Sequence, residues 1–138
     1  MKTLKLCLLL CLLSISNITM AKVVVIVNVT NTATLSDNDL SSLFLGKSKS
    51  FPNNNKAQAI NLNYGNETRK AFEKSILKKT SSQVKAYWSK LLFSGKGKPL
   101  KELSSDAEVI AFVADNPNAI AYIDASNINS SVKVVKEF

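Results

Sequence analysis

The sequence contains no histidine, and its two cysteines, Cys7 and Cys11, both lie within a leading apolar segment. A histidine-based triad, a cysteine nucleophile and an imidazole or thiolate metal site are therefore excluded from residues 22–138. Asp106 and Glu108 lie two residues apart in one helical turn and do not face each other as a carboxylate dyad would. These absences predict a protein that is not an enzyme and needs no cofactor or metal.

Acidic residues are fewer than basic ones, ten against 18, which gives a formal net charge of +8. Without Lys2 and Lys5, which belong to the leading segment, 16 basic and ten acidic residues remain, a net charge of +6. The lysines are scattered between acidic residues, and the few aromatic residues fall mostly at helical core spacing. This pattern favours a solvated lysine-rich surface over a nucleic-acid interface, so no nucleic-acid partner is predicted.

Long apolar runs are also scarce, and the longest stands near the start of the chain. Residues 1–5 are basic, residues 6–15 are apolar, and residues 19–21 read T-M-A, ending on a small side chain. The pattern predicts a cleaved signal peptide over residues 1–21 and a single domain over residues 22–138, with an uncleaved N-terminal anchor as the alternative. Export without disulfides is typical of a bacterial periplasmic protein.

Strands and helices alternate along residues 22–138, which predicts an α/β fold. Apolar runs predict strands at residues 23–27, 57–62, 119–123 and 132–135. Capping patterns predict helices that begin near residues 36, 66, 80 and 105. The third helix has the clearest apolar stripe, which consists of Val84, Tyr87, Trp88, Leu91 and Leu92. Core packing is favoured over ligand stacking for Tyr87 and Trp88, because both belong to this stripe. A solvated connector is the favoured role for the basic loop at residues 95–99.

The stretch N-L-N-Y-G-N-E-T-R-K-A-F at residues 61–72 is the candidate functional site. It predicts a strand end, a glycine turn and the first turn of a helix, where unpaired backbone N–H groups attract anions. Gly65 permits close backbone approach, Asn66 caps the helix, Thr68 adds a hydroxyl, and Arg69 offers a clamp for an oxyanion. The alternative is an ordinary capped helix whose arginine faces water.

Several segments in succession resemble the phosphate-binding periplasmic proteins of ABC uptake systems. L-S-S-L-F-L-G-K at residues 40–47 is similar to a segment of that family, and Y-G-N-E-T at residues 64–68 lies where the family has D-G-S-G-T. Tyr87 and Trp88, G-K-G at residues 95–97 and N-A-I-A-Y at residues 118–122 resemble later elements of the family. The resemblance implies one lobe of a type 2 periplasmic binding protein, with a small mixed sheet flanked by helices.

In that family the serine, glycine and threonine of D-G-S-G-T contact phosphate. By position the serine becomes Asn66 and the glycine becomes Glu67, whereas the threonine is kept as Thr68. Tyr64 stands at the aspartate position, and Leu62 stands where the family has an arginine. A glutamate beside a bound anion repels it by about 1 kcal/mol or more in a partly desolvated site.

Two functions follow from the resemblance. The first is a periplasmic solute-binding protein that binds a small phosphate-like oxyanion weakly at Gly65, Asn66, Thr68 and Arg69, with a homodimer as one way to complete the site. The alternative is a single-lobe interaction module without a ligand, which docks on a membrane transporter or sensor protein.

Overall fold

The computed structural model describes residues 22–138, so the predicted signal peptide and both cysteines lie outside the described residues. Strands and helices alternate along this part of the chain, which confirms the predicted α/β class. The strands are β1 (Val23–Asn28), β2 (Gln58–Leu62), β3 (Lys101–Leu103), β4 (Ala119–Asp124) and β5 (Val132–Glu137). The helices are α1 (Asp37–Phe44), α2 (Glu67–Phe72), α3 (Ser81–Phe93) and α4 (Asp106–Asp115). A π-helical segment, Glu73–Leu77, continues α2, and a short 3-10 helix, Ala125–Asn127, follows β4.

The five strands form one mixed sheet in the order β3-β2-β4-β1-β5. β2 pairs in parallel with β3 and with β4, whereas β1 is antiparallel to β4 and β5. The carboxyl ends of β2, β3 and β4 therefore meet at one edge of the sheet. In open α/β sheets this is the edge at which ligands bind.

The two central strands, β1 and β4, carry much of the core. All six residues of β1 are buried, as its continuous β-branched run predicts for a strand covered on both faces. Among the residues that the structure describes, one contiguous core of buried apolar side chains joins the sheet and the helices. None of the helices described in this range is long and apolar enough to cross a membrane.

Three aromatic rings join α1, α2 and β4. Phe72 stacks on Tyr122 with ring centroids 4.1 Å apart and an interplanar angle of 6°, and Phe44 meets Phe72 edge-on at 4.7 Å. The buried Tyr122 hydroxyl donates to the side-chain oxygen of Asn61 and accepts from the Leu62 backbone N–H at 3.3 Å. These contacts hold the carboxyl end of β2 against β4 and so position the turn that follows.

Two features differ from the sequence-based expectation. β3 was not predicted, because its three residues, K-E-L, form neither an apolar run nor an alternating pattern long enough to indicate a strand. Burial along α3 declines towards its C-terminal end: Trp88 is buried, but Leu92 is 54% exposed and Phe93 is 90% exposed. The predicted core role of Trp88 is therefore confirmed, whereas the apolar stripe is not buried as far as Leu92.

Candidate functional site

A tight turn at residues 63–66 connects β2 to α2. The Asn66 backbone N–H donates to the Asn63 carbonyl at 3.1 Å, and Gly65 has a φ of +87°, a conformation that glycine adopts without strain. The Asn63 backbone N–H donates to the Leu103 carbonyl at 3.1 Å, which ties the turn to the end of β3. A Cβ at Gly65 would meet no atom of residues 22–138 within 4 Å, so the glycine serves the backbone conformation of the turn.

The first turn of α2 has the predicted cap. The Asn66 side-chain oxygen accepts from the Arg69 backbone N–H at 3.1 Å. The amides of the residues just after a cap have no acceptor inside the helix, which leaves those of Glu67 and Thr68 for solvent or a ligand. The Glu67 side chain is 84% exposed and pairs with Lys70 at 3.1 Å, so its charge is partly offset at the surface. Thr68 is 9% exposed.

Arg69 lies inside the protein, only 4% exposed, and the alternative of an arginine facing water is therefore wrong. Its Nε donates to Glu73 at 3.3 Å, and its Nη1 donates to the Leu62 carbonyl at 2.8 Å and to Glu102 at 2.6 Å. Nη2 takes no part in these contacts. The guanidinium thus binds the end of β2, the π-helical segment and β3 together.

The surroundings of Arg69 make a compact charged cluster. Glu73 is 1% exposed, and its second carboxylate oxygen accepts from the Ser81 hydroxyl at 2.9 Å, which links the cluster to the start of α3. Burial lowers the pKa of Arg69, but the hydrogen bond to Glu102 and the neighbouring carboxylate charges outweigh this and raise the pKa above its ordinary value. The Tyr64 ring covers the guanidinium at 5.9 Å. One cation and two carboxylates leave this cluster with a net negative charge.

A cleft of about 760 Å³ opens at the carboxyl edge of the sheet. Two of the four predicted site residues, Asn66 and Thr68, line it, whereas Gly65 and Arg69 do not. The start of α4 contributes Ser105 and Asp106 to the same cleft. The remaining lining residues are Ala107, Ile110, Ala111, Asn127, Asn129 and Ser131. The N-terminal ends of two helices therefore face one cleft.

The polar groups of α4 in this cleft are held in place by local hydrogen bonds. The Ser105 hydroxyl caps α4 by accepting from the Glu108 backbone N–H at 3.2 Å. One carboxylate oxygen of Asp106 accepts from the Asp124 backbone N–H at 3.1 Å and from the Asn127 side chain at 2.8 Å. The cleft thus combines helix-terminal donors with one carboxylate acceptor.

Sequence reasoning missed the residues that complete this site. The pairing of Arg69 with Glu73 has a sequence signal, because residues four apart lie on the same helix face. Glu102 and Ser105 have no such sequence signal, because they come close to the turn only when β3 pairs with β2. Within residues 22–138, no group of three histidine, cysteine or carboxylate side chains is placed to hold a metal ion.

No protein-family model matches the chain, and no curated protein matches it significantly. Solved structures do share its fold. The chain is similar to an ABC-type phosphate transport receptor from Vibrio cholerae, with a TM-score of 0.66 and 17% identity, over 85% of this chain and 47% of that one. It is similar to a putative phosphate ABC transporter substrate-binding protein with bound phosphate from Clostridium perfringens, with a TM-score of 0.66 and 19% identity, over 85% and 46%. PstS from Borrelia burgdorferi gives a TM-score of 0.60 at 15% identity, over 83% and 47%.

These likenesses confirm the predicted fold. The chain spans about half the length of the solved structures that it matches, consistent with a single lobe of a phosphate-binding-protein fold. Those structures are binding proteins of transport systems and not enzymes.

Proposed function

We propose that the chain is an exported, periplasmic solute-binding protein, not an enzyme, which binds a small phosphate-like oxyanion weakly at the turn of residues 65–69. One observation carries the proposal: the starts of α2 and α4 open onto a common cleft at the carboxyl edge of three parallel strands. Helix N-termini combine unpaired N–H groups with a partial positive charge, and two of them at one cleft suit an anion. The phosphate-binding fold of the similar structures supports this ligand class.

Each predicted site residue has a place in this proposal. Gly65 allows the anion to approach the backbone. Asn66 caps the first turn of α2 through the Arg69 amide, so the Glu67 and Thr68 amides are left for the anion. The Thr68 hydroxyl and the nearby amides donate to the anion. Arg69 lies behind the turn, where Nη2 is the guanidinium nitrogen not engaged by Glu73, Leu62 or Glu102.

The same geometry makes the binding weak. Arg69 is already neutralised by Glu73 and Glu102, so its charge contributes little to an external anion. Glu67 adds a carboxylate in the first turn. Residues 22–138 supply one wall set for the cleft, and a second lobe or a second copy of the chain would be needed to enclose an anion. An open site leaves the anion partly hydrated, and its hydrogen bonds then contribute less than in a dry site.

Asp106 gives the cleft a preference among anions. A carboxylate can accept a hydrogen bond from a protonated oxyanion, such as hydrogen phosphate, but it repels a fully deprotonated one, such as sulfate. Because Asp106 lines the cleft, we expect phosphate to bind more tightly than sulfate.

Calorimetry and thermal melting with phosphate and with sulfate test the proposal. We expect phosphate to release or absorb heat on binding and to raise the melting temperature, because a ligand that binds only the folded state stabilises it. Thr68→Val removes one donor and keeps the side-chain shape, so phosphate affinity falls about tenfold or more. Thr32→Val, on an exposed loop, is the matched control. No heat and an unchanged melting temperature at millimolar phosphate would overturn the proposal.

The second candidate is a ligand-free module that docks on a membrane transporter or sensor protein. The internal pairing of Arg69 favours it, because the residue best suited to clamp an anion is already bound to Glu73 and Glu102. This candidate predicts that solubilised membranes yield one specific partner, recovered equally with and without phosphate. If phosphate instead converts the chain to a homodimer in sedimentation experiments, a second copy completes the site and the first candidate stands.

A further inference from the structure

A second, larger concavity lies at the edge of the sheet opposite to the cleft. It has a volume of about 1000 Å³, and we call it the lysine groove. Gln58 and Lys101, the first residues of β2 and β3, line it, as does Asn118, which immediately precedes β4. The other wall is the C-terminal half of α3 with the loop of residues 95–100. The lysine groove therefore lies at the amino ends of the same parallel strands whose carboxyl ends form the cleft.

The lysine groove carries concentrated positive charge. Among the described residues, five cationic side chains and no acidic one line it, namely Lys49, Lys56, Lys96, Lys98 and Lys101. Within residues 22–138, none of the five forms a salt bridge, although acidic partners engage other lysines of this range. The charge is therefore available to an external anionic partner. Residues 95–99 are all exposed, as expected for a solvated connector, and their two lysines add to the charge of the groove.

Apolar side chains accompany this charge. Trp88, Leu91 and Leu100 line the lysine groove, and Leu92 lies at its border, 54% exposed. Phe93, the last residue of α3, is 90% exposed. Single exposed apolar residues are ordinary, but two large consecutive ones beside a lysine cluster form an amphipathic surface.

We propose that the lysine groove docks on an anionic phospholipid bilayer. In this arrangement Phe93 and Leu92 enter the interfacial region, and the lysines lie among the lipid phosphates. Charge complementarity carries the choice of partner. The groove combines five lysines with neighbouring exposed apolar side chains, and this combination is typical of surfaces that bind anionic membranes, where lysines lie near lipid phosphates and apolar side chains enter the interface.

The docked orientation has a consequence for the rest of the molecule. The lysine groove and the cleft lie at opposite edges of one sheet, so a chain docked through the groove keeps the cleft open to solution. Docking through the groove does not depend on anion binding in the cleft.

Vesicle co-sedimentation of residues 22–138 tests this inference, because the apolar residues 6–15 would bind lipid by themselves. We expect binding to vesicles of equimolar phosphatidylcholine and phosphatidylglycerol, none to phosphatidylcholine alone, and release as salt is raised. Each lysine near an anionic surface contributes about fivefold in partitioning, so Lys96→Gln with Lys98→Gln weakens binding about 25-fold. Phe93→Ser weakens it about tenfold through lost apolar burial.

The matched control is Lys133→Gln with Lys136→Gln. It removes the same charge from β5, the edge strand on the other side of the sheet from β3. Its binding should stay within about twofold of the parent, because these lysines lie away from the docked face.

An equal loss in the control would overturn the assignment to the groove, and unchanged binding of Phe93→Ser would overturn insertion. No binding to anionic vesicles at low salt would overturn the proposal outright. A dimer that Phe93→Ser dissociates would assign the groove to a second copy instead, and circular dichroism melting verifies that every variant is folded.

Discussion

Replacing Glu73 by glutamine probes the charged cluster behind the turn. The Glu73 and Arg69 side chains are 2% and 5% exposed, so neither gains solvation in the folded state when its partner is lost. Removing one member of a fully buried pair costs about 3–5 kcal/mol. Glu102, 39% exposed, still pairs with Arg69, and the new amide still accepts from Ser81, so we expect a smaller loss of about 2–3 kcal/mol.

Urea unfolding followed by tryptophan fluorescence measures this loss. Trp88 is the only tryptophan of the chain and is 6% exposed, so its emission reports the loss of the core. For a domain of this size the expected loss corresponds to a melting temperature lower by about 8–12 °C. Glu67→Gln is the control, because it removes a carboxylate from an exposed pair with Lys70 and should cost less than about 0.5 kcal/mol.

A double replacement separates pairing from packing. Arg69→Met with Glu73→Leu removes both buried charges while filling the same space, and such replacements are often neutral or stabilising. We expect the double variant to recover most of the stability lost by Glu73→Gln, since Glu102 can turn to solvent. If Glu73→Gln lies within about 0.5 kcal/mol of the parent, or the double variant is no more stable than the single one, the reasoning about a buried, mutually dependent pair is refuted.

Two further predictions concern a helix end and helix caps. Gly46→Ala should lower the free energy of unfolding in urea by about 2–4 kcal/mol, because Gly46 has a φ of +69° and a Cβ there would lie 2.8 Å from the Trp88 ring. Gly95→Ala is the control: its φ is +70°, but no described atom lies near its Cβ position, so it should cost only about 1 kcal/mol. Equal costs for the two variants would contradict the contact with Trp88. Backbone hydrogen bonds from Ser36 and Ser104 hold the pKa values of Asp39 and Glu108 below their ordinary range. The stability that these caps contribute is therefore present at neutral pH and is lost as the pH falls from about 5 to below 3, and a urea midpoint that stays constant over this window would contradict the prediction.

Local sequence features predicted the elements well where the deciding interactions are local. The Asn66 cap and the Ser36, Thr80 and Ser105 caps all form as predicted, because each involves a side chain and an amide three residues away. The buried strands β1 and β4 follow from continuous apolar runs. The resemblance in motif order also indicated the fold, which the similar solved structures confirm.

The environment of Arg69 shows where local reasoning ends. The sequence placed it correctly in the first turn of a helix after a glycine turn, with the choice between an anion clamp and a solvent-facing side chain left open. The structure turns it inward instead, because the parallel pairing of β2 with β3 brings Glu102 beside Asn61 and the next residues of β2. Arg69 and Glu102 are 33 positions apart, so the local sequence pattern around either residue cannot indicate their contact.

By itself, the sequence determined the class of the fold, its caps and turns, the absence of histidine chemistry and the position of the candidate turn, because each depends on residue type or on neighbours a few positions away. Only the tertiary structure decided which groups meet. It joined the starts of α2 and α4 in one cleft, enclosed Arg69 between two carboxylates, and gathered five lysines with Leu92 in one groove at the amino ends of the parallel strands. The physical reason is the strand order. Parallel pairing places the carboxyl ends of β2, β3 and β4 together at one end of the sheet and their amino ends together at the other.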